Sequence, residues 1–98
     1  MLIKQGSIVQ LNSGGPNLVV ESIYIHIIEE SGKHYSIDQL PAYYDSNELK
    51  KYLAEKLDIK IIDLPIEAIQ ISLQCIWFQG KEPISDSFDF RLLNLISS

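Results

Sequence analysis

The sequence predicts a mainly β fold of antiparallel strands, with one inserted helix at about residues 46–57. Short runs of branched and aromatic residues alternate with turn signals along most of the chain, a pattern typical of strands joined by tight turns. The interval 46–57 instead carries apolar residues at helical spacing. A length of 98 residues with 46% apolar residues fits a single domain, residues 1–98.

A β-hairpin is predicted at the start of the chain. Residues 7–11 are rich in branched side chains, and a second extended run over 18–29 follows the turn signal Asn-Ser-Gly-Gly-Pro-Asn. Gly14 and Gly15 allow a positive φ, while Pro16 fixes its own φ and has no N–H to donate. These three residues are therefore expected to form the tight corner of the hairpin.

A second hairpin is predicted with its turn at Ser31-Gly32 and a partner strand over 34–37, which Leu40-Pro41 would end. In that register His26 would pair with Ile37, and His34 would lie three positions away from His26. The two histidines would then fail to converge with the single cysteine on a metal ion. No metal and no cofactor are predicted.

The predicted helix has both a start signal and an apolar face. Asp45 and Glu48 have the spacing of a capping box, with Asp in place of Ser or Thr. The residues at i, i+3, i+4, i+7 and i+8 then form a stripe, and they are Leu49, Tyr52, Leu53, Lys56 and Leu57.

The clearest strand pattern begins at Ala68. Odd-numbered residues from Ile69 to Trp77 share one face, and even-numbered residues from Gln70 to Phe78 share the other. Residues 79–83 are predicted to turn the chain, and residues 87–96 to form the last strand. A further extended stretch is expected at 59–63, before Leu64-Pro65.

Two separated motifs resemble the YodC-like family, small bacterial proteins of unknown function. They are Ser-Gly-Gly-Pro at residues 13–16 and Cys-Ile-Trp-Phe at residues 75–78, followed by Gly80. The resemblance covers about residues 4–23 and 70–96, which leaves 24–68 as a long helix-containing insert. It implies a small SH3-like antiparallel barrel or half-barrel and no reaction. The residues expected to have structural roles are Gly14, Gly15, Pro16, Cys75, Trp77 and Phe88.

Charge and cysteine content restrict the function classes. Thirteen acidic residues against eight basic ones give a net charge of −5, which disfavours binding to a phosphate backbone. A nucleic-acid-binding or ribosome-associated accessory protein stays an alternative, as does an acidic inhibitor of a basic partner. One cysteine allows no internal disulfide, and neither a signal peptide nor a membrane-spanning run is visible. A cytoplasmic protein that contacts no membrane is expected.

Catalytic patterns are missing from the sequence. There is no Gly-x-Ser-x-Gly elbow, and the Gly14-Gly15 turn lacks the Gly-Lys-Ser/Thr ending of a phosphate loop. Asp45 and Glu48 are explained by helix capping. We therefore expect a protein that is not an enzyme.

The tyrosines give the main functional signal. All five lie between residues 24 and 52, and Tyr43-Tyr44 precede the predicted helix. Tyrosine is favoured at interfaces because a rigid ring buries area while its hydroxyl tolerates water. The sequence thus predicts a small protein-interaction module, binding a protein partner or itself, with Tyr43 and Tyr44 at the contact surface.

Overall fold

The computed structural model of the chain describes residues 2–28, 34–41, 46–60 and 63–98. Eight strands and one α-helix occur in this part of the chain, so the predicted mainly β fold is confirmed. The elements are β1 (Leu2–Lys4), β2 (Ile8–Leu11), β3 (Leu18–Ile27), β4 (His34–Ile37), β5 (Gln39–Pro41), α1 (Ser46–Leu57), a 3-10 helix (Ile66–Ala68), β6 (Ile69–Gln79), β7 (Glu82–Asp89), a second 3-10 helix (Phe90–Leu92) and β8 (Leu93–Ser97).

The main sheet is antiparallel and open. Its strand order is β7-β6-β3-β2-β8, and β4 also pairs with β3. The long strand β3 has β6 along one edge, while its other edge pairs with β2 near the start and with β4 near the end. The outer strands β7 and β8 share no ladder among the described residues, so the sheet is open and does not close into a barrel there.

The inserted region shares the core of the sheet. Residues 24–27, at the start of the predicted insert, are the second half of β3 and remain paired with β6. Leu49 and Leu53 of α1 are buried in the same cluster as the strands. The fully or nearly fully buried members of that cluster are Ile3, Val9, Leu18, Val20, Ile23, Ile25, Ile27, Leu40, Leu49, Leu53, Leu73 and Cys75. The helix therefore packs on the sheet.

The helix spans the predicted interval, Ser46–Leu57. It ends where Asp58 adopts a positive φ of 52° and the N–H of Ile59 donates to the carbonyl oxygen of Ala54, 3.2 Å away. Lys56, predicted on the apolar stripe, is instead solvent-accessible and lies 3.1 Å from Asp38. Their contact raises the pKa of Lys56 and lowers the pKa of Asp38. The proposed capping residue Asp45 lies outside the described residues.

Two short strands were not predicted. Leu40-Pro41, expected to end a strand, belong to β5, which pairs with β1 through Ile3 and Leu40. The side chains of Ile3 and Leu40 are both buried, so this two-stranded sheet contributes to the core. Strands of three residues that pair across almost forty positions leave no local pattern in a sequence.

The prediction of one continuous last strand over residues 87–96 is wrong. The structure divides it into β7 and β8, separated by the second 3-10 helix. The Asp89 carboxylate accepts from the backbone N–H of Arg91 at 2.8 Å, which stabilises the turn. The turn predicted over 79–83 is also shorter than expected, since Glu82 and Pro83 already belong to β7. Proline is tolerated there because β7 is an edge strand.

Candidate functional site

The outer face of the main sheet carries a row of apolar side chains. Val19 pairs with Ile8 on one side and with Ile76 on the other. The neighbours of these residues along the strands, including Val9, Val20 and Cys75, are buried, so alternation directs the row outward. We name Ile8, Val19, Ile76 and Phe78 the outer apolar patch.

Phe78 is the most exposed member of the patch. It lies two residues beyond Ile76 on β6 and pairs with Pro83 of β7. Its side chain is 68% exposed, against 37% for Val19, while Ile8 and Ile76 are half-buried. A large aromatic ring held on a paired strand is a preorganised contact, because little backbone freedom remains to be lost on binding.

The residues predicted for partner binding, Tyr43 and Tyr44, lie outside the described residues. Of the other tyrosines, Tyr52 is half-buried on the helix, and its hydroxyl donates to the carbonyl oxygen of Gln39 at 3.0 Å. Tyr24 is 43% exposed on the outer face of β3, where it pairs with Ser36 and Ser72. The described tyrosines thus serve partly in packing, and the apolar patch is a separate feature.

Cys75 is a core residue. It is fully buried, and its thiol lies 3.7 Å from the carbonyl oxygen of Leu73. Burial raises the pKa of the Cys75 thiol to about 11, and the nearby charge of Glu21 adds to the rise. Since the thiolate is the reactive form, this environment suppresses nucleophilic chemistry at Cys75.

The rings of Trp77 on β6 and Phe88 on β7 contact each other, although Trp77 pairs with Ile84 in the ladder. Their ring centroids are 5.9 Å apart with a tilt of 49°, and both side chains are half-buried against the core. The rings cover the edge of the core beside Leu73, which pairs with Phe88.

Replacing Trp77 by alanine is expected to lower the free energy of unfolding by about 2 kcal/mol. A fully buried tryptophan would cost about 3–5 kcal/mol, and Trp77 is only partly buried. Urea unfolding of the variant measures the loss. Phe78→Ala is the matched control, since it removes an adjacent ring that contributes little to the core. Equal losses for the two variants would contradict the assigned packing.

The predicted register of the second hairpin is wrong by three positions. His26 pairs directly with His34, and Ile37 pairs with Ile23. In the predicted register, the outward-facing His26 would have stood directly opposite Ile37, whose side chain is buried in the core. Directly paired residues point to the same face of a sheet, so that register could not have kept Ile37 buried. The structure therefore brings the two imidazoles together, and their closest nitrogens are 3.3 Å apart.

A groove lies between β4 and α1. It is lined by Ser36, Ile37, Asp38, Lys56 and Leu57 and is open to solvent. Its two charged groups form an ion pair with each other. Among the described residues, no group of three or more His, Cys, Asp or Glu side chains is arranged to hold a metal ion.

Comparisons of the chain with protein-family models, with curated proteins and with solved structures find no match. The resemblance to the YodC-like family therefore stays a prediction. No helix in the described ranges is long and apolar enough to cross a membrane.

Sequence reasoning found part of the outer apolar patch. The alternation of β6 already placed Ile76 and Phe78 on the face opposite Cys75. It did not join them to Ile8 and Val19, because that grouping depends on the β2–β3 and β3–β6 registers. Only the paired strands make four separate residues into one surface.

Proposed function

We propose that the protein is a small, non-enzymatic interaction module that works in the cytoplasm, and that the outer apolar patch is its contact surface for a protein partner. The exposure of Phe78 carries the proposal. A ring that is 68% exposed on a rigid strand, with apolar neighbours, is a typical anchor for a protein interface. The cytoplasmic setting is supported by the single cysteine, which is buried and unpaired.

The chemistry of the patch favours an apolar partner surface. Its members carry no hydrogen-bonding side chains, so specificity would come from shape and from burial of the Phe78 ring. Acidic charge elsewhere on the chain would act at longer range, favouring approach by a partner with a basic rim. The proposal includes self-association, because two copies can bury the same patch against each other.

Affinity capture from an extract of the source cells tests the proposal. The bait variants are wild type, Phe78→Ser and Ile28→Ser. Ile28 is a matched control because it is an apolar side chain with 49% exposure beyond the other end of β3. It lies about 30 Å from Phe78 at roughly 3.3 Å per residue along β6.

We expect a partner that binds wild type and Ile28→Ser equally, with recovery reduced at least tenfold by Phe78→Ser. Sedimentation velocity of the purified variants applies the same comparison to self-association. Equal recovery by all three baits, with no change in oligomeric state, would overturn the assignment of the surface. A parallel Tyr43→Ala/Tyr44→Ala bait tests the sequence-based site separately.

A nucleic-acid partner is the second candidate, because Phe78 is placed to stack on a base and Lys81 follows it in the turn. The negative net charge opposes this function. Nuclease treatment of the extract separates the two candidates. Partners that disappear with nuclease, together with a steep salt dependence of binding, would favour the nucleic-acid alternative.

A further inference from the structure

The two histidines of the chain form a cross-strand pair on the outer face of the sheet. His26 lies on β3 and His34 on β4, directly opposite each other. The ring centroids are 4.4 Å apart with an interplanar angle of 63°. The Nδ1 atom of His26 is 3.3 Å from both the Nδ1 and the Nε2 atom of His34. The β-ladder holds the two backbones at this spacing.

The two rings are close enough for one nitrogen from each to bind a common metal ion. Zinc binds histidine nitrogen at about 2.0–2.1 Å in tetrahedral sites, and two tetrahedral ligands at that length are about 3.3–3.4 Å apart. Ligands at a right angle, as in square-planar or octahedral sites, would be closer, at about 2.8–3.0 Å. His26 Nδ1 is equally far from both nitrogens of His34 in an edge-to-face pair, so it faces that ring and not one of its lone pairs. A ring therefore has to turn before one nitrogen from each histidine can bind the same ion at the tetrahedral spacing.

The rings are also free to adopt the required orientation. His34 is exposed and His26 is half-buried, so solvent reaches both. The terminal torsion of a histidine side chain is broad, which allows each ring to turn a nitrogen lone pair toward a common point. Gln70, the partner of His26 on β6, is exposed in the same row.

We propose that His26 and His34 form a zinc-binding site that links β3 to β4. Two imidazoles supply the protein ligands, and water completes the tetrahedral shell. Bound zinc joins the two strands of the hairpin that starts the inserted region, so it stabilises the folded state by linkage. The proposal is independent of the outer apolar patch, because Gln70 lies about 26 Å from Phe78 at roughly 3.3 Å per residue.

Calorimetric titration of the chelator-treated chain with zinc chloride at pH 7.5 tests the site. We expect saturable binding of one ion per chain and a higher melting temperature in zinc. His26→Gln and His34→Gln should each weaken binding at least tenfold and remove the thermal shift. Ser36→Ala is the matched control, since it removes an exposed oxygen two residues from His34 on the same strand. It should bind zinc as the wild type does.

The pH dependence of zinc affinity gives a second readout. Because zinc competes with protons for imidazole nitrogen, the affinity at pH 5.5 should be lower than at pH 7.5. Should a histidine variant fail to fold, the imidazole C–H resonances of the wild-type chain report the site directly. Both are expected to shift at one equivalent of zinc. Unmoved resonances, or equal zinc binding by the wild type and both folded histidine variants, would overturn the proposal.

Discussion

Replacing Leu53 by alanine is expected to lower the free energy of unfolding by about 3–4 kcal/mol. Leu53 is fully buried on α1, in the cluster that also contains residues of the sheet such as Ile25 and Leu73. Truncating a buried leucine removes transfer free energy and leaves a cavity, and such changes cost about 3–5 kcal/mol. The loss is a large fraction of the stability that a domain of this size possesses.

Equilibrium urea unfolding followed by circular dichroism measures this loss. Lys51→Ala is the control, because Lys51 is exposed on the same helix and its truncation should change stability by less than about 0.5 kcal/mol. Hydrogen exchange of the amides of Ile25 and Leu73 adds a test of cooperativity. If α1 unfolded at a lower urea concentration while these amides stayed protected from exchange, a core shared by the helix and the sheet would be contradicted.

The inserted region takes part in the core that the helix and the sheet share. Strands β1 and β5 place Ile3 and Leu40 beside each other, and α1 adds Leu49 and Leu53. All four residues belong to the buried cluster that also contains residues of β3 such as Ile25. Leu40, Leu49 and Leu53, which lie between β3 and β6 in the chain, therefore add buried residues to the core of the main sheet. This contribution matters because a short chain buries a limited fraction of its surface.

Local patterns account for the elements that the sequence predicted well. The helix is defined by its apolar stripe, and β6 by the alternation of buried and accessible residues from Ile69 to Trp77. Both signals lie within a dozen residues. The mainly β class follows from them together with the Gly-Gly-Pro turn.

Non-local pairing accounts for what the sequence did not predict. The β1–β5 sheet joins residues near Ile3 to residues near Leu40, and each strand is too short to show alternation. The register of β3 and β4 depends on keeping Ile23 and Ile37 together in the core. The position of a turn signal cannot provide that information. The histidine pair was missed for this reason.

The same distinction between local patterns and non-local pairing applies to the candidate surfaces. Phe78 was recognisable as outward-facing because its own strand alternates. The outer apolar patch and the His26–His34 pair exist only once neighbouring strands are in register. A contact surface on a sheet is a property of several strands, so the sequence of one strand defines only a part of it.

Replacing Gly15 by valine is expected to lower the free energy of unfolding by about 2–3 kcal/mol. Gly14 and Gly15 have φ values of 101° and 106°, which side-chain-bearing residues rarely adopt. The turn is held in place because the Gly14 N–H donates to the carbonyl oxygen of Leu11 at 2.9 Å and the Gln10 side chain donates to the carbonyl oxygen of Gly15 at 2.6 Å. The backbone therefore cannot relax without losing hydrogen bonds.

The cost at Gly15 comes from backbone strain and not from crowding. A Cβ atom at Gly15 would have no heavy atom within 4 Å beyond its chain neighbours. Gly15→Ala should therefore already show most of the loss, since strain of this kind costs about 1–3 kcal/mol per residue. Asn17→Val is the control, because Asn17 is exposed in the same turn and has no positive φ. Thermal unfolding compares the three variants.

The turn also connects stability with the proposed contact surface. It fixes the register in which Ile8 pairs with Val19, and that pair forms half of the outer apolar patch. Gly15→Val should therefore reduce partner binding as well as stability, while Phe78→Ser should reduce binding alone. A Gly15→Val chain as stable as the wild type would show that residue 15 tolerates a side chain and would contradict the backbone strain assigned to this corner.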